Sequence, residues 1–110
     1  MGLTKKSSFS QRENRISKYA KALAHPARIA ILQLLIKKQS CICGDIVDEL
    51  PLSQSTVSQH LKELKAAGLI KGDIDGAKIC YCIDDKEIEL AKESLLSLFH
   101  NYEKSKNKCC

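Results

Sequence analysis

The chain is poor in several residue types. It has no tryptophan, one methionine, two prolines and only 5% aromatic residues, and its 18 basic residues include just three arginines. No apolar run approaches the roughly 18 residues that a membrane-spanning helix needs. The amino terminus, MGLTKKSSFSQREN, has no apolar segment typical of a secretory signal. These absences exclude a transmembrane helix and a signal peptide, and they predict a cytoplasmic protein.

The size and charge of the chain further limit the kinds of protein it can be. A chain of 110 residues fits one domain with a modest core, so burial of leftover apolar surface in a dimer is expected. The net charge of +5 suits an anionic partner. The three histidines are scattered and no nucleophile is paired with a base, so we do not expect an enzyme.

Residues 41–69 contain two helix patterns separated by a tight break at residues 50–52. The second pattern begins at Ser53, whose side-chain oxygen suits a helix start. Its apolar residues are spaced four and three apart, so they form one stripe, while Ser55, Gln59 and Lys62 lie roughly opposite. Two such helices predict a helix-turn-helix that binds DNA, and the alternative is a surface helix of an ordinary bundle.

The flanking patterns complete the predicted fold. Residues 12–24 form an amphipathic helix, and Pro26 begins a central helix that is apolar on nearly all faces. Asp45 opens the first helix of the helix-turn-helix. Residues 69–74 and 77–83 form a hairpin around Asp75-Gly76. The sequence thus predicts a mainly α, winged helix-turn-helix fold with a two-stranded β-hairpin wing. The predicted divisions are a flexible segment at 1–12, the domain at 13–103 and a flexible tail at 104–110.

The last helix, which begins at Asp84-Asp85, has a long apolar stripe. Because the central helices already cover the core, we expect this stripe to pack on a second copy and form a homodimer. Such a dimer would place two DNA-reading helices about 34 Å apart on a palindromic operator. The stripe comprises Ile88, Ala91, Leu95, Leu98, Phe99 and Tyr102.

Polar and basic residues of the second helix and of the hairpin are the candidates for contact with double-stranded DNA. Side chains of the helix could read base edges, whereas lysines of the hairpin could contact phosphates. His60 stands beside the apolar stripe, and we expect it to pack under the wing rather than touch a base. The candidates are Gln54, Ser55, Thr56, Ser58, Gln59, Lys62, Lys71 and Lys78.

The six cysteines come in three close pairs, namely Cys41/Cys43, Cys80/Cys82 and Cys109/Cys110. A reducing cytosol disfavours structural disulfides, so paired thiols indicate a soft metal, a metalloid or redox chemistry. In the strand, Cys80 and Cys82 share the face opposite Ile79, Tyr81 and Ile83. We interpret them as structural or spare residues.

Three segments together resemble the ArsR/SmtB family of small metal-sensing repressors. They are LAHPARIAILQLL at 23–35, LSQSTVSQHL at 52–61 with AGL at 67–69, and the Asp75-Gly76 wing. The resemblance covers residues 13–103. It implies a winged-helix homodimer that represses an operon until an inducer binds.

The arsenic-sensing branch of that family resembles this chain in having Cys-x-Cys before the first helix of the helix-turn-helix. Here Gly44 separates Cys43 from Asp45, so the pair is shifted one residue towards the amino terminus. The zinc-sensing branch has a histidine-rich site on the last helix. At the matching positions this chain has Glu87, Glu89, His100 and Glu103, a poor set for zinc.

The predicted inducer is trivalent arsenic or antimony held by thiolates, although another soft metal is possible. Cys41 and Cys43 supply two sulfurs, and Cys109 or Cys110 on a flexible tail supplies the third. Alternatively, the tail pair is itself the site, completed by a thiol of the partner. Competing hypotheses are a redox or persulfide sensor, a zinc or cadmium sensor of the same fold, and a DNA-binding module without an inducer.

Overall fold

The computed structural model describes residues 8–39, 41–43, 50–73 and 80–103. The predicted first helix of the helix-turn-helix after Cys43, the Asp75-Gly76 turn, Lys78 and the tail cysteines lie outside these residues. Within them the chain forms four helices and one small sheet. In chain order the elements are α1 (Gln11–Ala22), α2 (Pro26–Lys38), β1 (Ile42–Cys43), α3 (Gln54–Ala66), β2 (Ile70–Asp73), β3 (Cys80–Ile83) and α4 (Asp85–Phe99).

Side-chain caps determine where the helices begin. Ser10 and Glu13 form a reciprocal capping box at α1, so this helix starts one residue before the predicted position. His25 accepts from Ala27 N–H ahead of Pro26. Ser53 and Asp84 accept from amides three residues on, which confirms the predicted starts of α3 and α4.

The sheet is antiparallel, with strand order β1-β3-β2. The prediction of a mostly helical fold with a small antiparallel sheet is confirmed, but the sheet has a third strand that the sequence pattern did not predict. This strand, β1, has two residues and pairs Ile42 with Tyr81 and Cys43 with Cys80. A two-residue strand is too short to show alternation of apolar and polar residues, so pairing with β3 is what defines it.

Gly72 allows β2 and β3 to approach closely. It lies opposite Tyr81 and has a φ of +118°. A Cβ at this position would collide with the backbone carbonyl of Cys80 and would lie 2.9 Å from the Tyr81 Cα. Only glycine combines this backbone conformation with the required space. The position of β3 therefore depends on the absence of a side chain in β2.

The core lies between α2, α3, α1 and one face of the sheet. Its fully buried members are contributed by every one of these layers. Contrary to the prediction of a helix buried on nearly all faces, α2 leaves Ile29 44% and Ile36 52% exposed. The largest fully buried side chains are Tyr19, Ile31, Leu35, Leu64, Leu69, Ile70 and Tyr81.

Polar contacts join α1 to α4. The Tyr19 hydroxyl donates to the Glu87 carboxylate, and Lys18 Nζ lies 3.3 Å from the same oxygen. Arg12 donates to the hydroxyl and the carbonyl of Ser97 at 3.2 and 3.0 Å. The hydrogen bond from Tyr19 and the nearby Lys18 lower the pKa of Glu87. These contacts fix α4 against its own protomer.

The prediction that the whole apolar stripe of α4 faces a partner is therefore wrong for its first half. Ala91 is buried in the core of the same protomer, and Ile88 and Leu95 pack against that core. The reason is that α1 packs across α4. Farther along, Leu98, Phe99 and Tyr102 are 50%, 71% and 63% exposed. In the described ranges, no helix has the length and apolar character to span a membrane.

Replacing Tyr19 with phenylalanine tests the docking of α1 on α4. Loss of a hydrogen bond to a carboxylate should lower the free energy of unfolding by about 1.5–3 kcal/mol in urea titrations at pH 7. Tyr102→Phe is the control, because this tyrosine is 63% exposed. Equal stability of the two variants would contradict the assigned role.

The same contact predicts a loss of stability in alkali. Burial and the bond to Glu87 raise the pKa of Tyr19 to about 12, above its ordinary value of 10.0. The folded state therefore keeps a proton that the unfolded chain loses first. The stabilisation is complete below pH 10 and falls as the pH rises towards 12. Urea titrations across this range should show a steeper decline for the native chain than for Tyr19→Phe.

Candidate DNA-reading helix and cysteine face

The polar face of α3 is accessible as the sequence predicts. Val57, Leu61 and Leu64 are buried in the core, so the helix is anchored by one side. The opposite side is presented to solvent, with Ser58 half-buried at its edge. The exposed candidates for DNA contact are Gln54, Ser55, Thr56, Gln59 and Lys62.

Hydroxyl groups cluster at the first turn of α3. Ser53 Oγ lies 2.9 Å from Thr56 Oγ1 and 3.3 Å from Ser55 Oγ, and it accepts from Thr56 N–H at 3.4 Å. The partial positive charge of a helix amino terminus favours an anion at such a place. This end of α3 is therefore suited to a DNA phosphate, while Gln59 lies one turn farther along.

His60 is a buried residue at the contact between α2 and α3. It is 8% exposed, its Nδ1 accepts from Arg28 Nε at 3.2 Å, and its ring centroid lies 4.4 Å from that of His25. Burial, His25 and Arg28 lower its pKa, which favours the neutral ring. Arg28 also donates to the carbonyls of Lys21 and Ala22 at 3.2 and 3.3 Å. The sequence predicts that His60 packs but not its contact with Arg28, whose only signal was an arginine within an apolar helix.

The second site is built from cysteines of β1 and β3. In the antiparallel register Cys43 lies opposite Cys80, with Cα atoms 4.0 Å apart, and the two form a disulfide. The expectation that no cysteine of this chain forms a disulfide is wrong for this pair. The physical reason is the unpredicted strand β1, which brings Cys43 against the wing strand.

Cys41, the residue before β1, and Cys82 of β3 form the next pair where the same register continues. Neither is in a disulfide; Cys41 is exposed and Cys82 is partly buried. A hydrogen bond with the Cys41 thiol, followed by burial, raises the pKa of Cys82. Because side chains two apart on a strand share a face, the two pairs lie side by side. We call these four residues the cysteine face.

The cysteine face gives Cys80 and Cys82 neighbours that the sequence did not indicate, and its disulfide gives Cys80 a structural role in this state. The β1–β3 pairing places each cysteine of the strand beside one of the Cys41/Cys43 segment. The structure thus joins two of the predicted ligands to two cysteines that the prediction set aside.

A cleft of about 550 Å³ opens beside Cys41 and Cys82. Its walls come from the end of α2, from β2 and β3, and from the first turn of α4. Lys71, predicted to contact DNA, is paired with Cys82 across the strands and lines this cleft. The remaining lining residues are Leu35, Ile36, Gln39, Ile83, Asp85 and Ile88.

The described ranges contain no group of three or more His, Cys, Asp or Glu side chains that could hold a metal ion. With Cys43 and Cys80 joined to each other, two free thiols among the described residues, Cys41 and Cys82, line the cleft. Glu87 of the considered zinc set is occupied by Tyr19 and Lys18. Cys109 and Cys110 lie outside the described residues, so their role stays a prediction.

Known proteins resemble this chain across the region just described. Residues 25–71 match the family of bacterial regulatory proteins named for arsR. An HTH-type transcriptional regulator of Methanocaldococcus jannaschii is 42% identical over 74 residues, which are 66% of this chain and 82% of that protein. The chain belongs to the ArsR family. This membership confirms the predicted winged helix-turn-helix fold class.

Two mycobacterial transcriptional regulators give further comparisons. The transcriptional repressor SmtB of Mycobacterium tuberculosis is 44% identical over 68 residues, 62% of this chain and 50% of that protein. The match thus spans half of the SmtB length. The regulator CmtR of Mycobacterium bovis is 31% identical over 87 residues, 79% of this chain and 73% of that protein. All three relatives are named as transcriptional regulators, which agrees with the prediction that this chain is not an enzyme.

Gln59→Ala tests the polar face of α3. If this side chain contacts a base, specific binding to promoter DNA should weaken by about 1–3 kcal/mol with little change on random DNA. Lys78→Ala should weaken binding to promoter DNA and to random DNA equally, and it should reduce the dependence of binding on salt concentration by about one unit of log–log slope. Gln33→Ala, an exposed glutamine of α2, is the matched control. Fluorescence anisotropy measures all of these, and equal losses on both DNAs would exclude Gln59 as a base contact.

Proposed function

We propose that this ArsR-family chain is a homodimeric, cytoplasmic repressor that releases its operator when thiolates bind trivalent arsenic or antimony. The cysteine face is the observation that supports it. Cys41 and Cys43 directly precede the segment predicted as the first helix of the helix-turn-helix, and β1 ties them to the wing strand β3. A ligand at these sulfurs therefore acts where two DNA-contacting parts of the fold are connected.

Trivalent arsenic takes three thiolates, which are natural ligands for soft ions. Cys41 and Cys43 provide two in the proposed set, with Cys109 or Cys110 as the third. Cys43 can serve only after its disulfide with Cys80 accepts two electrons and two protons from a dithiol reductant, which becomes a disulfide. Reduction leaves Cys80 as well as Cys82 beside the site, so either can replace the tail thiol.

The switch follows from linkage. An inducer lowers operator affinity only if it binds the free dimer more tightly than the DNA-bound dimer, and the coupling is reciprocal. A coupling of about 1–3 kcal/mol weakens DNA binding roughly 5- to 150-fold. When arsenous acid binds, each As–S bond that forms replaces an As–O bond, and the thiol proton leaves with the hydroxyl group as water, so inducer binding should cause little net proton release.

A redox-responsive repressor is the second candidate, and the Cys43–Cys80 disulfide favours it. In that case oxidation, rather than arsenic, would change the connection between β1 and β3. Two-electron oxidation of Cys41 and Cys82 by a peroxide would add a second cross-strand disulfide and yield water. Operator release by peroxide, with reversal by a dithiol and no response to arsenite, would favour this candidate. A zinc or cadmium site on α4 is disfavoured because Glu87 already binds Tyr19 and Lys18.

Leu98→Lys tests the homodimer. A lysine buried without a partner in an apolar interface is costly, so sedimentation should show a monomer and operator binding should fall. Leu98 is 50% exposed in the protomer, so the fold itself should be retained. Ile29→Lys on α2, where the isoleucine is 44% exposed, is the matched control and should stay dimeric. A native chain that is monomeric at micromolar concentration would contradict the proposal.

Serine substitutions test the arsenic switch. In the presence of a monothiol reductant, Cys41→Ser and Cys43→Ser should bind operator normally but resist release by arsenite, because each lacks one of the proposed ligands. The double variant Cys109→Ser/Cys110→Ser should lose its response to arsenite. The loss should be only partial if Cys80 or Cys82 replaces the tail thiol as the third ligand. The fluorescence anisotropy of labelled operator DNA, followed at increasing arsenite concentration, measures this release. Normal operator release by the double variant Cys41→Ser/Cys43→Ser would move the site to the tail pair. Normal release by a variant that lacks Cys41, Cys43, Cys109 and Cys110 would refute the arsenic mechanism.

A further inference from the structure

The two pairs of the cysteine face differ in what they can bind. Cys43 and Cys80 use their sulfurs on each other. Cys41 and Cys82 keep their thiols, are neighbours where the β1–β3 register continues by one residue, and both line the cleft. Among the described residues, this state therefore offers two neighbouring thiols and a space of about 550 Å³, rather than three convergent thiols.

From this arrangement we propose that Cys41 and Cys82 form a dithiol site for trivalent arsenicals that carry one organic substituent, with the substituent seated in the cleft. The inference rests on the proposed function and specifies its ligand class. An inorganic arsenite needs a third thiolate from elsewhere. An organoarsenical needs only two, because carbon already occupies its third position.

The chemistry requires no oxidant. Phenylarsine oxide contains trivalent arsenic bonded to a phenyl carbon and to oxygen. The thiols of Cys41 and Cys82 replace the oxygen, two As–S bonds form, and the two thiol protons leave with the oxygen as water. Arsenic stays trivalent, and the Cys43–Cys80 disulfide is not altered.

The cleft walls suit an apolar substituent. Leu35, Ile36, Ile83 and Ile88 supply aliphatic surface beside the two thiols. Burial of a phenyl ring against such surface is favourable, by about 25 cal/mol for each Å² removed from water. Ile36 is 52% exposed without a ligand, so contact with a ring would cover apolar surface that water now reaches.

The test uses the full chain with serine at the other cysteines and a phosphine reductant that does not chelate arsenic. One variant keeps Cys41 and Cys82, and two matched controls each keep only one of these two cysteines. Titration calorimetry without DNA should show one phenylarsine oxide per chain in the first variant and about 10²–10⁴-fold weaker binding in each control, because a single thiol cannot chelate the arsenic. Equal affinity for the first variant and the controls would overturn the proposal.

A second arm tests the cleft. In the Cys41/Cys82 variant, Ile36→Ser should weaken the binding of phenylarsine oxide about 4- to 15-fold, as expected for one or two fewer buried methylene groups. The same substitution should weaken the binding of a methylarsenical less. Ile29→Ser, on the same helix but outside the cleft, is the control. No difference between these substitutions would refute the seating of the substituent.

Because binding is measured on the free chain, the result is independent of repression. A chain that binds phenylarsine oxide through Cys41 and Cys82 but never binds operator would refute the proposed function and leave this inference standing. If the chain binds operator and responds to arsenite, but its Cys41/Cys82 variant binds phenylarsine oxide no better than the single-cysteine controls, this inference is refuted and the proposed function stands.

Discussion

The pairing of two residues in β1 with β3 is the contact on which the candidate site depends. It converts a Cys-x-Cys segment into one edge of a sheet, and it sets Cys43 against Cys80 and Cys41 against Cys82. Without this pairing the four cysteines would belong to separate parts of the chain. With it, the start of the helix-turn-helix and the strand of the wing share one set of sulfurs. The remaining layers act mainly to hold β3 in place, through Tyr81 in the core and β2 on its other side.

Much of the fold could be predicted because strong local signals agree with the tertiary structure. Ser53, Pro26 and Asp84 begin helices as their chemistry requires, and Gly68, with a φ of +85°, follows the end of α3. The polar face of α3 followed directly from helical spacing. Such features depend on residues within one or two turns, and the sequence displays them directly.

Other features could not be predicted because distant partners determine them. The strand β1 has no pattern of its own, so the neighbours of Cys80 and Cys82 were not evident. The packing of α1 on α4 depends on Tyr19 and Glu87, which lie 68 positions apart. This packing buries Ala91 within the chain and leaves Leu98 and Phe99 exposed. Helical periodicity alone places all three residues on one apolar stripe and cannot tell which of them are buried.

Gly72 has a consequence for how this chain can vary. Any side chain there would push β2 away from the Cys80 carbonyl and the Tyr81 backbone. Such a change would disturb β3, and with it the alignment of its cysteines, although every sulfur would still be present. A search of natural variants for lost cysteines would overlook it. The integrity of the cysteine face is thus encoded partly in a residue that has no side chain and no sulfur chemistry.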